Sequence, residues 1–358
     1  MARRLRIGIV GAGLIGRRHI ATVVASPEAE LCGVADTLPR SDPAVAALPC
    51  DYFASHRELL AAAKPDAVII ATPNRLHVPM GIDCARAGVP MIVEKPIADT
   101  IDDACALLRE AKRASVALLV GHHRRYHAQA AEARRIVAGG QLGTLVAASV
   151  LWATRKPDAY FDAAWRTAAG GGPILINLIH EIDMLRFLGG ELASVSGLTS
   201  NALRGFAVED SAAVMFRFVD GALGTILCTD AAVSPWTIEQ GLGENPAFRF
   251  TGENVYRLMG TRGALDFPKL RVWTSRDPAK VGWDQPLAVE PVKTLDRDPY
   301  LEQVRHLRAV IEGRESPVVS GVDGARTLAA TLAVHESART GAPVDLARDY
   351  ALIAAAAA

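Results

Sequence analysis

The chain carries no net charge, few cysteines, few aromatic residues and no long apolar run, and each shortage excludes a class of protein. Lysine and arginine together number 39, aspartate and glutamate 39, so nothing in the balance marks a surface for polyanions. No basic cluster stands beside aromatics, as a nucleic-acid partner would require. The five cysteines (Cys32, Cys50, Cys84, Cys105, Cys228) are odd in number, far apart and without a Cys-x-x-Cys pair, which argues against both a disulfide framework and a thiolate metal site. They read as buried thiols of a reducing cytoplasm. Uninterrupted apolar runs such as 116–120 fall far short of the roughly 18 residues of a membrane helix. The opening Met1-Ala2-Arg3-Arg4 leads into a strand and not into a secretory apolar region. A cytoplasmic protein with no nucleic-acid and no membrane partner is expected. What the sequence does have is core material. Of 358 residues 50% are hydrophobic and 22% charged, enough for two domains on the usual length prior.

The first third alternates short apolar strands at 5–10, 31–35, 67–71, 91–94 and 117–120 with helical stretches, the pattern of a parallel sheet covered on both faces. Helix signals fall between the strands. Ser55 and Glu58 have capping-box spacing, Gly88 follows the helix that includes Cys84, and Thr100 opens the one containing Leu107 and Leu108. After Gly121 the character changes to a helix ending at Gly139-Gly140, then β-rich stretches at 145–153, 194–199, 212–218 and 222–228. That pattern predicts an α/β protein: a doubly wound parallel domain over 1–121, then an α/β domain over 122–358 with an open-faced, mostly antiparallel sheet. Two late helical segments, 301–311 and 324–339, flank Ser316-Pro317-Val318, and the alanine run 354–358 reads as a frayed end.

Gly11-x-Gly13-x-x-Gly16 follows the strand 5–10 and opens a helix, the context a dinucleotide fingerprint demands. There the glycines permit a tight turn, a close approach of backbone N–H groups to a pyrophosphate, and close packing of helix on strand, while the helix N-terminus offers a positive dipole end. Glycines also mark ordinary tight turns. Asp36 separates the two readings, because it ends the second strand twenty residues after Gly16, where a carboxylate accepts from ribose hydroxyls and repels a 2′-phosphate. NAD is therefore expected and NADP disfavoured, although Arg40, just beyond, could still accommodate a phosphate.

Glu94-Lys95-Pro96 closes a strand of the same sheet, at the edge where open α/β sheets bind ligands. Lys95 is either a surface lysine or a group able to reach cofactor and substrate. Further on, a glycine-rich turn, Gly170-Gly171-Gly172-Pro173, runs into a helix on which Asn177, His180 and Asp183 recur at intervals of three and can share one face. Such a trio can form a proton-transfer site or merely satisfy a buried histidine. The zinc pattern of two histidines four apart fails, since Met184 stands four after His180, and His122, His123 and His127 have no carboxylate or thiolate partner at ligand spacing. No metal site is expected.

Taken together, Gly11-x-Gly13-x-x-Gly16, Ala71-Thr72-Pro73-Asn74-x-x-His77, Glu94-Lys95-Pro96, Gly121-His122-His123-Arg124-Arg125-Tyr126, Trp165-Arg166 and His180-x-x-Asp183 resemble the Gfo/Idh/MocA oxidoreductase family over nearly the whole chain. The resemblance implies a Rossmann domain followed by an open-faced sheet domain. It implies that Leu14 and Ile15 of the glycine loop, Thr72, Pro73, Asn74, His77, Glu94, Lys95, Trp165 and Arg166 bind the cofactor, and that Lys95 and His180 are the reactive pair, with a cis Lys95–Pro96 peptide. It also implies hydride transfer between a secondary alcohol of a sugar, cyclitol or related polyol and NAD. His180 acts as base and Lys95 stabilises the oxygen, while Asn177 or Asp183 orients the imidazole or binds neighbouring hydroxyls. His123, Arg124, Trp152, Arg155, Trp165 and Trp236 are expected to wall the substrate pocket, and Arg155 with Lys156 to receive an acidic group. One departure stands out. Inositol-oxidising members carry an aspartate four residues before the histidine, and here that position is Ile176. Two alternatives from the same fold are a redox-neutral NAD-using glycosidase and a non-catalytic NAD sensor. A homodimer or homotetramer is expected from the open sheet.

Overall fold

A computed structural model describes residues 3–39, 41–295 and 297–358. The chain forms two compact units, and neither is a single stretch of sequence. The first comprises Met1–Tyr126, Arg297–Leu328 and Arg348–Ala358, and the second His127–Asp296 and Ala329–Ala347. Among the described residues no helix is long and apolar enough to cross a membrane.

The first unit is built on six parallel strands, β1 (Leu5–Val10), β2 (Ala29–Ala35), β3 (Tyr52–Phe53), β4 (Ala67–Ile70), β5 (Met91–Val93) and β6 (Leu118–Val120), with α1 (Leu14–Ala25), α2 (Pro43–Ala46), α3 (His56–Ala63), α4 (His77–Arg86) and α5 (Ile101–Arg113) between them. Their order is β3-β2-β1-β4-β5-β6. The chain leaves β1 in one direction and returns to β4 on the other side, and this reversal opens a crevice at the carboxyl ends of the two strands. Because both faces are covered, Ile7, Ile9, Ile69 and Ile92 are fully buried, and the strands read as continuous apolar runs without alternation. The expected caps are present. Ser55 accepts from the Glu58 N–H at 3.2 Å and Thr100 from the Asp103 N–H at 3.1 Å. Strand β3 carries no signal in the sequence, since two residues are too few to show a period; it forms by pairing with β2.

The second unit starts with α6 (Ala128–Ala138) and β7 (Leu145–Arg155), then α7 (Ile179–Gly189) preceded by a π-helical segment Ile174–Leu178. Strands β8 (Leu192–Ser200), β9 (Ser211–Phe218), β10 (Leu223–Thr229) and β11 (Ala231–Trp236), helix α8 (Ile238–Leu242), and strands β12 (Tyr256–Gly260), β13 (Gly263–Phe267), β14 (Arg271–Ser275) and β15 (Leu287–Pro291) follow. Of the last elements, α9 (Pro299–Ile311) belongs to the first unit, α10 (Gly321–Thr340) is divided between the two, β16 (Val344–Asp345) belongs to the second, and α11 (Ala347–Ala357) lies almost wholly in the first. The sheet runs β15-β14-β13-β12-β7-β10-β9-β8-β16, with β11 also on β7; β7 and β10 are parallel, and the other neighbours antiparallel. The expected open-faced, mostly antiparallel sheet is present. Strands β11 to β16 escape the hydrophobic pattern because none is longer than six residues, too few to show a period, and β14 buries only Val272.

Two features differ from the sequence reading. The alanine run at 354–358 lies largely in α11, where Ile353 and Ala356 are buried, so it is a packed helix of good helix formers and no frayed end. Helix α9, late in the sequence, belongs to the first unit: Val304 and Leu307 pack into the cluster of Ile7, Ile9, Val34 and Ile69. Leu307→Ala should therefore destabilise the first unit by about 2–5 kcal/mol, the range for a fully buried leucine, measured by denaturant unfolding. A change within about 0.5 kcal/mol, typical of surface positions, would contradict that packing.

Candidate active site

The glycine loop leaves β1 with Gly11 N donating to Ala35 O of β2, and Ala71 N of the next strand end donating to Val10 O. The loop is thereby pinned across three strand ends. Gly16 has no room for a side chain, since a Cβ there would lie 2.0 Å from Gly11 O, whereas a Cβ at Gly13 would meet nothing within 4 Å. Helix α1 opens with no side-chain cap and no acidic residue in its first turn, leaving its N–H groups and dipole for an anion. Leu14 is exposed and Ile15 half-buried at this mouth. Asp36 accepts from Ala12 N at 2.5 Å through Oδ2 and from Leu38 N at 2.9 Å through Oδ1. These bonds aim the carboxylate and leave further lone pairs for ribose hydroxyls. The residues present fit a dinucleotide. Arg40 lies outside the described residues.

Next along the sheet edge, Glu94 follows β5 and is 5% exposed. His19 of α1 meets its Oε1 at 2.7 Å, and the Lys95 N–H donates to its Oε2 at 3.2 Å. Burial disfavours its charge, yet the His19 hydrogen bond and the nearby His123 and Lys95 hold its carboxyl below the usual range. Gly121 makes room for it, because a Cβ there would sit 2.7 Å from the carboxylate. The Lys95–Pro96 peptide is cis, and Lys95 is half-buried. His77 is buried with Nδ1 2.8 Å from Pro96 O and Nε2 2.8 Å from Thr72 O, so its ring bridges the two loops that end β4 and β5. Thr72 and Asn74 are half-buried and Pro73 exposed. The neighbouring histidines diverge: His123 stacks on Tyr300 of α9 at 4.6 Å, and His127 pairs with Glu244 at 2.7 Å. Arg124 is buried in the first unit.

In the second unit Asn177 falls in the π-helical segment and His180 and Asp183 in regular α7, so their three-residue spacing crosses a change of helix type. The Asn177 Oδ1 takes a 2.8 Å hydrogen bond from the buried Lys156 Nζ. Trp152, expected on a pocket wall, is 0% exposed, with its indole N–H on Glu239 at 3.0 Å, so it is core. Lys156 likewise turns away from Arg155: its Nζ lies 3.2 Å from Asp230, while Arg155 is paired at 3.6 Å with the exposed Asp158. Burial lowers the Lys156 ammonium, opposed by Asp230. Trp165 and Trp236 are exposed, and the Arg166 guanidinium covers the Tyr160 ring at 4.0 Å. Sequence reasoning missed His19 and Tyr300, which reach the Glu94 edge from α1 and α9, and Asp230 and Arg204, the partners of Lys156; no local motif marks any of them.

Comparison with known proteins agrees with this architecture. Residues 5–122 match the oxidoreductase family, NAD-binding Rossmann fold, and residues 130–266 the GFO/IDH/MocA C-terminal domain. The chain belongs to the Gfo/Idh/MocA oxidoreductase family. Among family relatives, the 1,5-anhydro-D-fructose reductase of Ensifer adhaerens is 30% identical over 95% of this chain and 98% of its own. The rhizopine catabolism protein MocA of Rhizobium meliloti is 32% identical over 52% of this chain and 58% of its own. The WlbA dehydrogenase from Bordetella pertussis, solved with NADH and UDP-GlcNAcA, has a TM-score of 0.77 at 25% identity over 96% of this chain and 99% of that one. The protein is an NAD-dependent oxidoreductase of this family.

The cofactor edge generates a direct test. Asp36→Ser removes the carboxylate expected to accept from the ribose, and with it the charge expected to repel a 2′-phosphate. It should weaken NAD by about tenfold or more, the worth of one hydrogen bond to a charged group, and narrow the preference over NADP, as read by fluorescence titration of both nucleotides. A wild-type protein that binds NADP more tightly than NAD would contradict the role given to Asp36.

Proposed function

We propose that the protein oxidises a secondary carbinol of a sugar, cyclitol or related polyol to a ketone. The observation that carries this reading lies within the first unit. The glycine loop, Thr72 and Lys95 follow β1, β4 and β5, three adjacent strands of one sheet, so a cationic donor stands on the edge that holds the dinucleotide. Bound NAD supplies the acceptor for the hydride leaving the carbinol carbon. The chain's own residues handle the oxygen and its proton. His180 takes the hydroxyl proton, an imidazole being the side chain that changes protonation in the neutral range, and Lys95 donates a hydrogen bond to the oxygen as negative charge develops on it. Glu94 holds the Lys95 backbone, His77 holds the Pro96 carbonyl, and Asp183 stands one turn after His180 as a positioning residue. Trp165, Arg166, Trp236 and His123 are assigned to the ligand surround by family resemblance.

Lys95→Ala and His180→Ala should each lower kcat by on the order of 10² or more, the usual yield of an acid–base group, with NAD affinity close to wild type. NADH formation is followed with scyllo-inositol, myo-inositol, levoglucosan and D-apiose as candidate alcohols. Near-normal turnover of His180→Ala alongside an inactive Asp183→Ala would move the base to the carboxylate.

The same reading includes a homo-oligomer in a reducing cytoplasm. Its support is the register that places Leu198, Met215, Leu223, Leu227 and Met259 on one outward sheet face, all exposed, and five thiols that form no disulfide, with burial pushing Cys84 up to about 12. Light scattering after gel filtration should give a dimer or tetramer, and Met215→Glu with Leu227→Lys should shift it towards monomer; a wild-type monomer would contradict it.

A further inference from the structure

Lys156 follows directly on β7 and is 6% exposed. Its Nζ donates to Asn177 Oδ1 at 2.8 Å and to Asp230 Oδ2 at 3.2 Å, and it stands 4.7 Å above the centre of the Tyr160 ring. An ammonium only donates, so the Asn177 amide is fixed with its oxygen towards Lys156 and its NH2 turned away. That NH2 makes no hydrogen bond with the described residues, although Asn177 is itself only 8% exposed. Each acceptor of the cluster holds at least one donor. Asp230 Oδ1 takes Arg204 Nε at 3.1 Å, and its carbonyl takes Arg204 Nη2 at 2.7 Å and the Lys156 N–H at 2.9 Å. Asp210 takes the N–H groups of Leu203 and Arg204 at 3.0 Å each and the Ser211 hydroxyl at 2.8 Å. The donors left without a hydrogen-bond partner are two hydrogens on Asn177 and the third on Lys156. A group with several lone pairs and a negative charge answers that set, and a carboxylate has both.

We propose that Lys156 and Asn177 form a carboxylate subsite, so that the alcohol oxidised is a sugar acid, an aldonate or a uronate, with its carboxylate held here beside the helix that carries His180. The proposal rests on the oxidation reading above. It gives Asn177 a task other than orienting the imidazole. It also accounts for a lysine buried with a carboxylate that it shares with Arg204. Burial works against the ammonium, and an incoming carboxylate supplies a second negative partner.

Calorimetric titration of the NAD-loaded protein with matched pairs tests it: D-gluconate against D-glucitol, D-glucuronate against D-glucose, and D-galacturonate against D-galactose. At least one acid should bind about tenfold or more tighter than its neutral partner, the worth of a charge-assisted hydrogen bond. Lys156→Met and Asn177→Leu should each remove most of that difference, and Lys156→Arg should retain part of it, with thermal unfolding and NAD binding checking that each variant is folded. Equal or weaker binding of all three acids by the wild-type protein overturns the subsite, as does an acid preference that survives both substitutions. NADH formation is followed on the same compounds. Turnover of neutral sugars without acid preference would overturn the subsite and leave the oxidation standing, whereas acid binding that depends on Lys156 without any NADH would uphold the subsite and count against the oxidation.

Discussion

A carboxylate taken out of water must keep charged or hydrogen-bonded partners, because the desolvation of an unpaired ion amounts to several kcal/mol, and Glu94 imposes that constraint on the whole ligand edge of the first unit. It draws His19 from the helix that follows the glycine loop, the backbone of Lys95 from its own strand end, and an open space at Gly121 where β6 finishes. One buried charge thus ties the nucleotide helix, the lysine loop and the last strand of the sheet together. Tyr300 of α9 adds to this: His123 stacks on it and His19 meets it edge-on at 5.4 Å. The late segment 297–328 is for this reason part of the site's support as well as of the core.

The second unit repeats the same physics with different residues. Asp230 is buried and takes two cations, Lys156 and Arg204, and through Lys156 it sets which way the Asn177 amide faces. The π-helical segment places Asn177 there, just before regular helix resumes at Ile179 and carries His180. In both units a buried acid therefore fixes a neighbouring group, the Lys95 backbone in the first and, through Lys156, the Asn177 amide in the second.

Much of this was legible in the sequence, and the parts that were not share a cause. The glycine loop, Asp36, the lysine at a strand end and the paired cap residues are local: their spacing reflects a turn or a strand end that a few neighbouring residues determine. The strands of the Rossmann sheet are equally plain, since burial on both faces writes itself as unbroken apolar runs. His19 with Glu94, or Lys156 with Asp230, are meetings of residues 75 and 74 positions apart, and nothing in either neighbourhood announces them. Trp152 illustrates the opposite error. An aromatic near other candidate pocket residues suggests a sugar-stacking wall, yet its alternation within β7 points it inward to Glu239. The π-helical segment was not legible either: the even spacing of Asn177, His180 and Asp183 reads as one regular helix, and nothing in it marks the wider turn that holds the first of them.

The activity proposed for the chain is net oxidation of a carbinol with NAD as the electron acceptor. Its most direct test is stoichiometry: with the alcohol that gives the highest turnover, the near-ultraviolet absorbance of NADH and the ketone formed are quantified in the same sample over time. One NADH for each ketone, rising together, is the predicted result. A modified sugar that accumulates with no net NADH would contradict the account and place the chemistry in a redox-neutral cycle instead.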